Sequence, residues 1–291
     1  MRTLRFKQVD VFTTEPFLGN PVAVVLDAEG LSGETMQAIA GWTNLSETTF
    51  VLPPTQAGAD YRLRIFTPRA ELPFAGHPTL GSAHAVLEAG VAQPREGRLR
   101  QECGAGIVEL KVETGGPARL WLRAPQTTLR ALDPARLPEL EGALGAAVLR
   151  TPAPRVIDVG PVWLVAGLRD AAEVGALVPD MAALAALSEA EGITGVVVFG
   201  AAQDGVAQLH VRAFAPAHGV PEDPVCGSGN ISVGAFLAET GLLARVGDHY
   251  RARQGMQLGR DGRIAMRVSV DGARIDLGGN AVTCIDGTLR V

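Results

Sequence analysis

Lysine is nearly missing from this sequence: only Lys7 and Lys111 occur, both inside strand-like segments. A Schiff-base chemistry of the pyridoxal phosphate kind would have to use one of these two. Cysteine is as sparse. Cys103, Cys226 and Cys284 are odd in number and widely spaced, with no Cys-x-x-Cys pair; this argues against a disulfide framework or a zinc site and for a reducing, cytoplasmic setting. The five histidines, His77, His84, His210, His218 and His249, show no His-x-x-x-His or His-Glu pairing, so no metal is expected. There is no run of about 18 apolar residues, and the first residues pass straight into charged, alternating sequence, so neither a membrane span nor an export segment is expected. Basic clusters are missing too. With 31 acidic and 26 basic residues and a net charge of -5, nucleic acid is excluded as the expected partner. The glycines of Gly227-Ser228-Gly229 lack the third glycine and the ribose-binding acid of a dinucleotide fingerprint.

What is present is an ordinary globular mixture, 47% hydrophobic and 20% charged, over 291 residues. That length is where single cores stop growing, so two domains are expected. The chain also repeats itself. From Gly19 it runs through an apolar strand, an amphipathic helix and a second apolar strand, and from Gly160 the same order recurs with a longer helical insert. Further on, Phe66 and Pro68 match Phe214 and Pro216 at an offset of 148, and Gly90 matches Gly241 at 151. The second copy therefore carries three extra residues, which sets Ala75 opposite Cys226 and Gly76 opposite Gly227. The stretches 79–89 and 230–240 read as helices, small or apolar round most of their circumference, as a buried central helix is. Each follows a Gly-rich turn whose backbone N–H groups suit an anion. Segments 106–113, 118–123 and 263–270 alternate as half-buried antiparallel strands do, which disfavours a doubly wound parallel sheet. The turn-rich passage 114–136 sets the boundary near residue 125. The expected lobes are 1–125, joined by 279–291, and 126–278.

Few residues in these repeats carry chemistry. Glu47, in Asn44-Leu45-Ser46-Glu47-Thr48, stands immediately before a strand entering the core, where desolvation would raise its pKa and let it both take and return a proton. The bland alternative is a solvated loop acid. Its counterpart in the second copy is Gly195. At the start of the first central helix, Gly76 lets backbone approach a ligand, and His77 either holds a carboxylate or bonds to nearby backbone. At the start of the second, Asp223 and Ser228 either contact the ligand or cap the helix, and Cys226 is either an activated thiolate or a buried structural thiol.

The segments DVFTTEPFLGNPVAVV, NLSETTFV, FTPRAELPFAGHPTLG and EDPVCGSGN, in this order and spacing, resemble the phenazine-biosynthesis isomerase family (PhzF-like proteins) of the diaminopimelate epimerase and proline racemase superfamily. The resemblance covers essentially the whole chain. It implies an α+β fold of two pseudo-symmetric lobes, each a mostly antiparallel, barrel-like sheet around a central helix, with the ligand cleft between the lobes. It implies a homodimer in the cytoplasm and an isomerase that needs no cofactor. Glu47 would be its acid/base; His77, Asp223 and Ser228 would bind a small carboxylate with backbone donors at Gly76 and Gly227. Racemases of the superfamily use two opposed cysteines, and here Ala75 faces the position matched by Cys226. One-base proton transfer is thus expected over stereoinversion, with an epimerase using Cys226 and a second base, or an anion-binding protein without turnover, as the alternatives. Many relatives carry threonine where Cys226 stands.

Overall fold

A computed structural model describes residues 1–116 and 119–291. The backbone divides into two compact units, Met1–Leu122 with Gly278–Val291, and Arg123–Leu277.

The first unit contains β1 (Thr3–Val11), β2 (Asn20–Val25), α1 (Gly33–Thr43), β3 (Thr48–Leu52), β4 (Tyr61–Phe66), β5 (Glu71–Leu72), α2 (Gly76–Glu88), β6 (Arg98–Cys103), β7 (Gly106–Val112) and β8 (Leu120–Arg123). The second contains β9 (Thr128–Ala131), α3 (Leu137–Leu144), β10 (Arg155–Asp158), β11 (Val162–Gly167), α4 (Ala171–Ala176), α5 (Met181–Glu191), β12 (Gly195–Ala201), β13 (Leu209–Ala215), β14 (Val220–Asp223), α6 (Gly227–Glu239), α7 (Leu243–Val246), β15 (His249–Gln254), β16 (Gly262–Val268) and the start of β17 (Ile275–Gly279). The chain then returns to the first unit as β18 (Ala281–Arg290).

Pairing follows one scheme twice. In the first unit β18, β1, β2, β3, β4, β6 and β7 neighbour one another in that order, antiparallel except for β2–β3 and β4–β6. In the second, β9, β10, β11, β12, β13, β15 and β16 do the same, with β11–β12 and β13–β15 parallel. The four parallel ladders stand within sheets that are mostly antiparallel, as expected. Each joins strands linked through a helix, and a helical crossover brings the chain back in its original direction. Register ties the copies residue by residue: Thr48 pairs with Phe66 as Val196 pairs with Phe214. Glu47 and Gly195 therefore occupy matching positions.

Inside the first sheet lies α2, against β1, β2, β3, β4 and β18. The approach is close enough that a Cβ on Gly81 would lie within 2.8 Å of both Val22 and Val11. The α6 helix packs in the same way on β10, β11, β12 and β16. On the outer face of the first sheet, Met36, Ile39 and Ala40 of α1 meet Leu4, Val25, Phe50 and Phe66. An isolated helix of 11 residues is marginal in water. Burying Met36 and Ile39, at about 1.5–3 kcal/mol for each side chain, supplies what the helix lacks alone. Several expected bounds shift, the strands expected over 106–113 and 263–270 spanning Gly106–Val112 and Gly262–Val268. The helices expected over 79–89 and 230–240 span Gly76–Glu88 and Gly227–Glu239, because glycine and proline are tolerated in a first turn whose N–H groups have no intrahelical partner. Ala118, the first residue of the strand expected over 118–123, and Pro117 beside it lie outside the described residues; the strand is β8.

Candidate active site

Glu47 is delivered by a helix end and a strand start. The α1 helix stops at Asn44, whose left-handed backbone (φ 54°, ψ 30°) donates its N–H to the Ala40 carbonyl and turns the chain. Asparagine tolerates that conformation without glycine's freedom elsewhere. Three residues on, the Glu47 carbonyl accepts from Ala23 N of β2, and β3 begins. The strand is pinned to α2 by a buried hydroxyl pair, Thr49 Oγ1 and Ser82 Oγ at 2.8 Å, and to α1 by Thr43 and Thr48, 2.7 Å apart.

The consequence is a carboxyl withdrawn from water, its side chain 16% exposed. Burial pushes its pKa up to about 7. Among the described residues, Oε2 has no hydrogen-bond donor. The Nδ1 atom of His77 lies 3.2 Å from it, off the line of a hydrogen bond, and the imidazole is 8% exposed. On its other side the imidazole Nε2 meets the Pro21 carbonyl at 3.4 Å. A carbonyl only accepts, so this contact is made by a ring that carries a proton on Nε2. Ala75, the N-cap of α2, offers no side chain to the first turn, which opens on Gly76 and His77. Sequence spacing alone left Glu47 a choice between solvated loop acid and desolvated base; the tertiary packing removes it from solvent. His77 bonds to backbone and also faces a carboxyl, that of Glu47.

In the second unit, Asp223, Cys226, Gly227 and Ser228 gather at the start of α6. Asp223 Oδ1 accepts from Val225 N at 3.0 Å. Cys226 is the N-cap, its Sγ accepting from Gly229 N at 3.3 Å, with Ser228 Oγ 3.6 Å away. Burial first, and the Asp223 charge second, push the Cys226 thiol well above its ordinary value. A thiol held protonated is a poor nucleophile or base. Three partners of this turn escaped the sequence reading. Trp163 Nε1 donates to Ser228 Oγ at 3.0 Å, while Gln254 Oε1 accepts from both Cys226 N and Asn230 Nδ2. Trp163 and Gln254 come from β11 and β15, distant in sequence, and no local signal marks them; Asn230 stands within the quoted EDPVCGSGN motif. Gly195, the match of Glu47, has no room for any side chain: a Cβ there would lie 2.0 Å from the Phe214 carbonyl oxygen. Only the first unit can hold the acid. Both lysines are held in ion pairs: Lys7 sits 2.7 Å from Asp286 and 2.9 Å from Glu88, and Lys111 is paired with Glu113.

The model of the phenazine biosynthesis-like protein family matches residues 9–287. The chain belongs to this family. It is a PhzF-like family of isomerases: the trans-2,3-dihydro-3-hydroxyanthranilate isomerase of Pseudomonas aeruginosa is 36% identical over 288 residues, covering 97% of this chain and 98% of the relative. The antisense-enhancing sequence 1 protein of Schizosaccharomyces pombe is 42% identical over 290 residues, 97% of each chain. Among solved structures, a PhzF-family protein of Bacillus anthracis superposes with a TM-score of 0.88 at 26% identity over all of both chains. A hydroxyproline epimerase from Agrobacterium vitis, 16% identical with a TM-score of 0.62 over 99% of this chain and 92% of that one, shares the fold. Among the described residues of this PhzF-like chain, no helix is long and apolar enough to cross a membrane.

Proposed function

We propose that this PhzF-like protein is a cofactor-independent isomerase that moves a carbon-bound proton within a small, unsaturated carboxylate, with Glu47 as the single acid/base. The observation that carries the reading is the Glu47 carboxyl itself, largely buried, without a donor on Oε2 among the described residues, and poised near neutral pH. A group with that pKa exchanges protons with carbon at physiological pH better than an ordinary carboxylate. In the proposed step the substrate C–H bond breaks, its proton passes to Glu47, and the electron pair moves into the conjugated system. The same proton, or one exchanged from solvent, is then returned from Glu47 to a second carbon. Nothing is oxidised or reduced overall. Gly76, His77, Asp223, Gly227 and Ser228 are the residues proposed to bind substrate, the helix-start N–H groups taking its carboxylate. The isomerase names of the relatives support the reaction class.

The test uses trans-2,3-dihydro-3-hydroxyanthranilate, the compound in the relatives' name, in heavy water. Deuterium at the carbon that gains the proton, lost with a roughly 10²- to 10⁴-fold drop in rate in Glu47→Gln, is expected. Full turnover by that variant would sink the assignment. Label confined to an inverted stereocentre would instead support epimerisation through Cys226, a reading its raised pKa disfavours.

A further inference from the structure

One buried pair of charges has no part in the proposed chemistry. In the second unit the Arg212 guanidinium, on β13, grips Glu222, on β14, with two parallel bonds: Nε to Oε1 at 2.9 Å and Nη2 to Oε2 at 2.8 Å. Both side chains are less than a tenth exposed. Nη1 of the same arginine donates to the carbonyls of Val174 at 3.2 Å and Leu177 at 2.9 Å, at the end of α4, and the guanidinium stands 4.9 Å over the Phe214 ring. Two strands and a helix are thereby tied to one side chain. Withdrawing two full charges from water is expensive, and such a pair gives little net stability over apolar residues of equal size. What the planar fork supplies is direction: it fixes the angle as well as the distance of its partner.

The thing directed is the next residue. Glu222 immediately precedes Asp223; Asp223 pairs with Ala213, whereas Glu222 is bonded to Arg212, the residue before Ala213 on β13, and successive residues of β13 point to opposite faces. With Glu222 held from one face, Asp223 is presented on the other. The Asp223 backbone is fixed in addition by its carbonyl, which accepts from Gln254 Nε2 at 2.8 Å. The first unit repeats the device. Arg64 Nε and Nη2 bond Glu71 at 2.7 Å each, and Arg64 lies 5.0 Å over Phe66. Glu71 stands five residues ahead of Gly76, as Glu222 stands five ahead of Gly227. Glu47 and Gly195 differ between the copies, as do Ala75 and Cys226, yet this ion pair is kept in both.

We infer that Arg212 and Glu222 are positioning residues for substrate binding, their buried ion pair setting where Asp223 and the start of α6 stand. The inference rests on the proposed role of Asp223 and deepens it: an aspartate carboxylate so presented recognises a hydrogen-bond donor, an amino or hydroxyl group, on the same small molecule that carries the carboxylate. A double-mutant cycle tests it. KM and kcat for trans-2,3-dihydro-3-hydroxyanthranilate, and Kd for anthranilate as a stable aromatic carboxylate, are measured for the wild type, Glu222→Gln, Asp223→Asn and the double variant. Glu222→Gln is expected to raise KM and Kd about tenfold with kcat little changed, and to have almost no further effect once Asp223 is asparagine. Equal losses in both backgrounds, with Asp223→Asn itself impaired, overturn the positioning role and leave the reading of Asp223 standing. An Asp223→Asn variant indistinguishable from wild type overturns both. Arg212→Lys keeps the charge without the fork and is expected to behave as Glu222→Gln does. Its crystal structure reads the claim without any ligand: a displaced Asp223 carboxylate that has lost Val225 N is expected, and an unmoved one refutes the inference.

Discussion

A single carboxyl with a pKa of about 7 leaves two signatures in solution. If Glu47 begins the reaction as a base, kcat/KM rises with pH and levels off above about 7, as the carboxylate form fills. Stability moves the other way. The folded-state value lies above the ordinary unfolded value of about 4.3, so between these limits the folded protein holds more protons than the unfolded chain. Stability associated with Glu47 is therefore complete at acid pH and is lost as pH rises through about 7. Glu47→Gln removes the buried charge. Urea denaturation at pH 8 is expected to find that variant more stable than wild type by on the order of 3 kcal/mol, with the difference vanishing near pH 4. A variant less stable at pH 8 would mean that the carboxylate has a stabilising partner. The Cys226 thiol, pushed up by burial, belongs to the same scale. Iodoacetamide at neutral pH is expected to modify the partly exposed Cys284 and spare Cys226. Cys226→Ser, which keeps a side-chain acceptor for Gly229 N, is expected to retain most activity; rapid alkylation of Cys226 with loss of activity would restore the thiol to the chemistry.

At the scale of elements, the β2–α1–β3 crossover and its match in the second unit are built alike, and only one ends in an acid. Gly195 explains why the second cannot. With the Phe214 carbonyl oxygen 2.0 Å from where its Cβ would stand, even alanine forces β12 away from β13. Gly195→Ala is expected to destabilise by about 1–3 kcal/mol or more, read as a lowered denaturation midpoint. An undisturbed midpoint would show that the strands have slack. This constraint was not legible in the sequence, where Gly195 is one of 35 glycines. The helices were legible, because their all-round small and apolar composition already says that they are buried. Their first turns were not, since Gly76-His77-Pro78 and Gly227-Ser228 are residues of turns by propensity, and only packing inside the sheet makes them helical.

For the molecule as a whole, the last strand is the decisive one. β18 pairs with β1 from Ala281 opposite Val11 to Arg290 opposite Thr3, and carries Asp286 to the nearly buried Lys7 ammonium and Thr283 to Glu88. Although burial opposes it, the hydrogen bonds that Lys7 donates to Asp286 and Glu88 hold its pKa above the ordinary value. Ending the chain at Leu277 strips β1 of that neighbour and leaves the Lys7 ammonium with Glu88 alone, a loss expected to exceed the about 5–15 kcal/mol of a typical fold. Far-UV circular dichroism should show the shortened chain unfolded; a native spectrum with a cooperative melt would contradict this. The duplication, the helices within sheets, the family and the place of Glu47 at the start of a core strand were all written in the sequence, because periodicity, offset and motif are local or repeat at fixed spacing. What only the tertiary structure decided is the chemical state of those residues: the depth of Glu47, the imidazole beside it, the protonated Cys226 and the absence of space at Gly195. Each depends on atoms brought together from strands and helices far apart in the chain, and desolvation is a property of those neighbours rather than of the residue itself.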